Sequence, residues 1–498
     1  MKRAWFSAAL LTASALVLTA AAGSAGTSRH ALPLPVPAWS DTQLINQSET
    51  PPTEAQCESV GRRCFAPQAI QSAYNVGPLY DRGLNGSGQT IAIVDAYGSD
   101  TIAHDLHVFD TAFGLAPMCG EEGVPCAPGM PTFTRLSLQG TPATKAPPSQ
   151  SKGTGQEDKS SWALEVSLDV ETAHAIAPGA NILLVTTPTA ETLGVQGFPQ
   201  MMAGVDYVVT HHLANVVSMS LAATEQSFNG PGALEHLRYA FKDAAASGVS
   251  VLAGSGDFGS LGVLKQPVSQ GGSTLPFPAV WWPASDPLVT GIGGTYLCTD
   301  PIATVSEPRT VDSIDPPSRC RSNPGQAEVG WIDAGGGFSA VFPRPSYQDT
   351  LPAGSTPIPT SSRGVPDVSL EASATTGALI YITLPPDGAG GLICGTTPCS
   401  TGWYDIGGTS LATPQWAGLV AIADQLAGHG LGLLNPALYQ LASNPATYAN
   451  DFYDVVVGNN GAGAPAVPGY PASPGWDPVT GLGTPNAANL VPDLVAAS

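Results

Sequence analysis

The chain has 498 residues, enough for a large buried core, and its 18 basic against 39 acidic residues leave a formal charge of −21. Such a surface repels nucleic acid and anionic membrane, so neither is an expected partner. Charged residues make up only 11% of the sequence, against about 25% in an average protein; with few Lys and Arg left to repel one another once carboxylates neutralise, the composition permits work in acid.

Lys2 and Arg3 precede an apolar run from Ala4 to Ala22, and small Ala20, Ala22 and Ala25 close it. A membrane anchor of this length is about long enough to span, but the many Ala residues and the small-residue exit favour a signal peptide over residues 1–25, cleaved near 22–25. No later run is long and apolar enough to cross a bilayer, so the mature protein is expected to be soluble, secreted and extracellular. Residues 26–63, rich in Pro, Ser and Thr, read as a short irregular arm. From Cys64 to the C-terminus one domain is expected. Short apolar runs predict buried strands at Thr90–Asp95, Asn181–Thr186, Val216–Ser220, Ser250–Ala253 and Leu288–Ile292, and helical patterns cover Ala103–Phe113, Trp162–Ile176 and Gly232–Ser247. A further helix begins near Ser410 and runs to Leu426. Strands alternating with helices predict an α/β fold with a mostly parallel sheet covered on both faces. Residues 127–160 and the Gly/Pro-rich residues 458–480 read as loops.

The eight cysteines fall into close neighbours, Cys57/Cys64, Cys119/Cys126, Cys298/Cys320 and Cys394/Cys399. None forms a CxxC motif, and an exported chain can hold disulfides. The 105 possible connectivities leave the pairing open, with local pairing the simplest and buried free thiols the alternative.

Gly407-Gly-Thr-Ser410-Leu-Ala-Thr-Pro414 sets a serine at the mouth of a helix. Backbone N–H groups and the positive dipole end there suit an oxyanion beside a nucleophile, although a plain N-cap after a glycine turn is the other reading. The Gly-x-Ser-x-Gly elbow of α/β-hydrolases is absent, because Ala412 follows Leu411. A nucleophilic serine needs a base, and no histidine stands in a catalytic string: His104 and His107 lie three apart on a helix, His211 and His212 precede a strand, and His174 sits at a helix exit. Carboxylates remain. Glu165 and Asp169 in Trp162-Ala-Leu-Glu-Val-Ser-Leu-Asp-Val-Glu171 fall on one helical face, either as a solvated surface or, given their apolar neighbours, as a buried pair whose pKa values separate. Asp257 follows a strand in Gly254-Ser-Gly-Asp-Phe-Gly259, as an Asx-turn residue or as a protonated donor to an oxyanion.

These strings together resemble the sedolisin family of serine-carboxyl peptidases, which includes kumamolisin and the tripeptidyl peptidases. The similarity runs from about residue 64 through Ala73-Tyr-Asn75, Gly88-Gln-Thr-Ile-Ala-Ile-Val-Asp-Ala-Tyr-Gly98, Pro178-Gly-Ala180, Gly293-Gly-Thr295, Gly335-Gly-Gly-Phe-Ser339, Pro366-Asp-Val368 and the serine octapeptide. The resemblance implies a subtilisin-like three-layer α/β sandwich. It also implies Ser410 as nucleophile, Glu165 as general base, Asp169 as the carboxylate that orients it and Asp257 as part of the oxyanion hole. Asp95 stands where subtilisins keep a catalytic Asp, a position the family leaves out of its triad. A free Glu titrates near 4.3 and a His near 6.5, so a Glu base predicts an acid optimum.

The resemblance further implies one structural Ca²⁺ near the C-terminus, held by the carboxylates of Asp454 and Asp477 and the carbonyls of Val455, Ser473 and Gly475, with Ser473 in place of the usual glycine. Family precursors carry a long folded pro-domain; residues 26–63 are too few to house one. The expected function is that of a monomeric, secreted, acid-acting serine endopeptidase on protein or peptide substrates. The alternatives are a catalytically silent binding or scaffold protein with the same fold and an exopeptidase of the tripeptidyl-peptidase type.

Overall fold

The structure is a computed structural model that describes residues 42–138, 154–188, 197–265, 273–306, 309–312, 318–384, 393–394, 397–462 and 467–498; the signal-like segment 1–25 lies outside them. Eight strands form the central sheet: β1 (Thr90–Ala96), β2 (Phe133–Ser137), β3 (Asn181–Thr187), β4 (Val216–Met219), β5 (Ser250–Gly254), β6 (Thr290–Leu297), β7 (Glu328–Gly330) and β8 (Val368–Glu371). The order is β7-β6-β5-β4-β1-β3-β2, with β8 also paired to β6. Every pair is parallel except β6 with β7. The expected mostly parallel sheet is therefore present.

The two faces of the sheet read off β1 alone. Ile91 and Ile93 pack into one buried cluster with α1 (Ile102–Phe113), α2 (Thr154–Ile176) and α5 (Thr409–Ala427), while Ala92, Val94 and Ala96 pack into another with α3 (Phe198–Thr210) and α4 (Tyr239–Ser247). Period-two alternation with apolar residues on both sides is what a sheet covered on both faces requires. From Ser160 to Ile176 every residue of α2 is buried, and α5 is buried from Thr409 to Asp424. Helices enclosed on all sides carry no amphipathic stripe to announce their orientation. They approach closely where Gly418 meets α2: a Cβ there would lie 2.8 Å from the Ile176 side chain, which favours the absence of one.

Several elements differ from the sequence reading. Residues 127–160, read as a loop, contain the edge strand β2 and the start of α2. Only Phe133 of β2 is buried, so the apolar run that marks inner strands is missing and the strand exists through its pairing with β3. Within the arm read as irregular, Thr42–Asn46 pairs antiparallel with Gly402–Ile406, which in turn pairs with Ala378–Ile382. The span Gly232–Ser247 is two helices, Pro231–Leu237 and α4, meeting at Arg238. The four neighbouring cysteine pairs are disulfides, and none of the cysteines is free. Among the described residues no helix is long and apolar enough to cross a membrane.

Candidate active site

The helix α5 begins at Thr409, directly after Gly408 (φ 133°), and so carries Ser410 in its first turn. Pro414 lies inside the same helix. Lacking an N–H, it cannot donate to the carbonyl four residues earlier, which is that of Ser410. The hydroxyl of Ser220, just beyond β4, lies 3.4 Å from this carbonyl and donates to Asp169 Oδ1 at 2.8 Å. One serine hydroxyl thus ties the nucleophile candidate's backbone to a carboxylate on α2.

Glu165 and Asp169 are both fully buried, which removes the reading of a solvated helix face. Burial pushes the Asp169 carboxyl well above the usual carboxylate range, and the neighbouring charges of Asp95 and Glu165 push it further, against the hydrogen bond from Ser220. Asp95, at the end of β1, is itself raised to about 8 by burial. The residue left out of the expected constellation is therefore an electrostatic neighbour of Asp169, although it lies on a different element.

Asp257 follows β5, and its Oδ1 accepts from both the backbone N–H and the side-chain hydroxyl of Thr409, each at 2.8 Å. The same Thr409 Oγ1 accepts from the N–H of Gly256 at 3.1 Å. Burial raises Asp257 to about 8, opposed by the two Thr409 bonds and assisted by the charge of Asp333. A carboxyl so placed is protonated in acid and can donate a hydrogen bond. Asp169, through Ser220, and Asp257, through Thr409, thus both reach the N-terminal turn of α5, and the charge of Glu165, one turn earlier on α2, bears on Asp169. Sequence reasoning missed Ser220 and Thr409 as parts of the site. Both stand in strings it had singled out, but a hydroxyl's partner is set by tertiary contact.

Three of the histidines singled out above pair away from Ser410's helix. His174 shares α2 with the two carboxylates but meets Asp110 at 3.2 Å and the carbonyl of Ala116 at 2.9 Å. His104 pairs with Glu122 and His107 with Glu121.

The C-terminal candidates also come together. Gly475 N–H donates to Asp454 Oδ2 at 3.0 Å, Ser473 N–H donates to Asp477 Oδ2 at 2.9 Å, and Val479 and Thr480 N–H donate to Asp477 Oδ1 at 2.8 and 2.9 Å. The hydroxyl of Thr480 lies 3.5 Å from the carbonyl of Val455. Burial raises Asp477 to about 7 and also raises Asp454. No group of three or more His, Cys, Asp or Glu able to hold a metal occurs among the described residues. The loop instead offers two carboxylates and three carbonyls, an all-oxygen set that fits a hard cation such as Ca²⁺.

A serine in the first turn of a buried helix, with buried carboxyl groups on adjoining elements of a mostly parallel sheet, points to a class of protein that comparison with known proteins identifies. The subtilase family profile matches residues 153–452, and the chain belongs to that family, on its sedolisin, or serine-carboxyl peptidase, side. Kumamolisin of Bacillus sp. (strain MN-32) is 33% identical over 447 residues, covering 89% of this chain and 66% of that protein. Tripeptidyl-peptidase 1 of Homo sapiens is 30% identical over 361 residues, 68% of this chain and 53% of that protein. A solved structure of Pseudomonas sedolisin, a serine-carboxyl proteinase complexed with two molecules of pseudo-iodotyrostatin, is similar with a TM-score of 0.60 at 25% identity, over 86% of this chain and 98% of that one. The chain spans just under two thirds of the length of kumamolisin and about half that of tripeptidyl-peptidase 1.

Proposed function

We propose that the protein is a secreted serine-type endopeptidase that hydrolyses peptide bonds of proteins in acid through an acyl-enzyme on Ser410. The observation that carries this reading is the hydrogen bonding of buried Asp169, through Ser220, and of buried Asp257, through Thr409, to the first turn of α5, with buried Glu165 beside Asp169. In the proposed cycle Glu165, ionised, takes the proton of Ser410 Oγ as it attacks the peptide carbonyl. Protonated Asp169 keeps its proton in the pair and orients Glu165, while its Oδ1 is held by Ser220. Protonated Asp257 donates to the tetrahedral oxyanion, which an ionised carboxylate would repel. Glu165 then returns its proton to the leaving amine, and water, activated by the same carboxylate, releases the acid product.

The active protonation state requires Glu165 charged while Asp257 and Asp169 are neutral. Burial raises both aspartates and so keeps them neutral in acid. The test is hydrolysis of a denatured protein at pH 3–5 by the purified protein beside Ser410→Ala. Activity in the parent and its loss by at least about 10³-fold in the variant are expected; equal cleavage by both, or by neither, refutes the assignment. Similarity to tripeptidyl-peptidase 1 favours a second reading, removal of tripeptides from free N-termini. Product sequencing separates the two, internal cuts supporting the endopeptidase.

One Ca²⁺ is proposed at the C-terminal loop, with Asp454 and Asp477 as carboxylate ligands and Val455, Ser473 and Gly475 as carbonyl ligands. When bound, the ion supplies charge that ties this loop together and takes no part in proton transfer. Export is supported by the signal-like residues 1–25 and by the four disulfides. A monomer acting on protein or peptide substrates completes the proposal.

A further inference from the structure

We propose that Thr409 is a positioning residue that keeps the proton of Asp257 on Oδ2. The inference rests on the reading of Asp257 as oxyanion donor and deepens it. An oxyanion donor must hold its proton on the oxygen that faces the substrate, and a free carboxyl can carry it on either.

The hydrogen bonds around Asp257 remove that freedom. The backbone N–H of Thr409 can only donate, and it donates to Oδ1 at 2.8 Å. The Thr409 hydroxyl is 2.8 Å from the same oxygen, and it receives the N–H of Gly256 at 3.1 Å. One of its two lone pairs takes the Gly256 N–H, and the hydroxyl donates its single proton to Oδ1. Two donors saturate Oδ1 as an acceptor and leave no room for a proton there. The oxygen that remains, Oδ2, is buried and has no hydrogen-bond partner among the described residues. In the neutral acid it is the O–H, and it has no internal acceptor to draw its proton away.

Thr409 is itself locked. Gly254 at the end of β5 lies against it so closely that a Cβ at position 254 would come 2.8 Å from Thr409 Oγ1. Being chain neighbour to Ser410, Thr409 holds nucleophile and donor in one register: the helix turn that presents Ser410 also grips Asp257. The charged group acting on Asp257 from outside this clamp is Asp333, whose carbonyl receives the N–H of Gly259 at 2.7 Å. Its charge favours the protonated acid without selecting an oxygen.

The test compares the wild type, Thr409→Val, Thr409→Ser and Asp257→Ala on one peptide, measuring kcat and KM from pH 2.5 to 9, with circular dichroism to verify folding. Thr409→Val keeps the shape and removes the hydroxyl donor. Its kcat should fall about 10- to 100-fold, less than the loss of a whole oxyanion donor, with KM near wild type. Its alkaline limb should move to higher pH, because a bond favouring the ionised form is gone. Thr409→Ser, which restores the hydroxyl, should return both rate and limb. A merely structural role would not displace the limb and be rescued by serine. If Thr409→Val does not fold, Thr409→Ala takes its place in the comparison. An inactive Asp257→Ala beside a Thr409→Val with wild-type kcat and limb overturns the positioning role alone. An Asp257→Ala with wild-type activity overturns the donor reading and this inference with it.

Discussion

Two groups of buried aspartates in this molecule meet opposite surroundings. Asp477 in the C-terminal loop receives three backbone N–H groups, from Ser473, Val479 and Thr480. Asp169 beneath Ser410 receives one hydroxyl and faces two other carboxyl groups, Asp95 and Glu165. Donors that converge on a carboxylate oppose the rise that burial imposes on it, whereas carboxyls that face one another add to that rise and share protons, as an acid–base device requires. The residue type is the same, and its neighbours decide what it can do.

The sharpest way to break this contrast is at the device. Glu165→Gln keeps shape and burial but cannot take a proton, so kcat on a peptide substrate at pH 4 should fall by about 10²- to 10⁴-fold while the thermal midpoint changes little. A smaller loss would mean that another group serves as base.

Next comes the response of the whole fold to pH. Burial raises Asp95 and Asp257 to about 8, and Asp105 and Asp424 to about 7, in the folded protein, whereas an unfolded carboxylate titrates near 4. Folding therefore binds protons. The stability these groups contribute is fully present below about pH 4 and is lost as pH rises through about 7 to 8. Thermal unfolding followed by circular dichroism should show a midpoint that is high near pH 4 and lower by pH 8. A midpoint that rises toward pH 8 would contradict the buried, protonated assignment.

The loop should respond to a different lever. Asp477→Ala strands three backbone donors and should cost about 2–4 kcal/mol of stability, with kcat at 25 °C near wild type. Calcium should raise the wild-type unfolding midpoint and a chelator should lower it, and the variant should lose that response. An identical calcium response in wild type and variant would remove Asp477 from the ligand set. The smallest effect is expected at His104, where the part-exposed contact with Glu122 is of the kind worth well under 1 kcal/mol. His104→Gln should leave both the pH 4 rate and the stability within about 0.5 kcal/mol of wild type; a large loss of rate would return histidine to the mechanism.

Much of this was legible from the chain. The inner strands announced themselves as unbroken apolar runs, because a strand covered on both faces has no polar side to show. The octapeptide around Ser410 and the four-residue spacing of Glu165 and Asp169 were equally plain. What escaped was whatever depends on a distant partner. The edge strand β2 carries Thr134 and Arg135 exposed on its surface and has only its pairing with β3 to define it. The strand Thr42–Asn46, in a segment read as irregular, is likewise defined by its partner Gly402–Ile406.

The sequence by itself determined the fold class, the carboxylate inventory and the absence of a catalytic histidine string, since these follow from local pattern and from which residues are present. Only the tertiary structure decided that Glu165 and Asp169 are enclosed rather than solvated, that Asp95 from another strand bears on them, and that Ser220 and Thr409 assign a bond to each aspartate. Burial and hydrogen-bond partners arise where elements meet from 51 to 152 residues apart, and a proton's position depends on those neighbours more than on the residue that carries it.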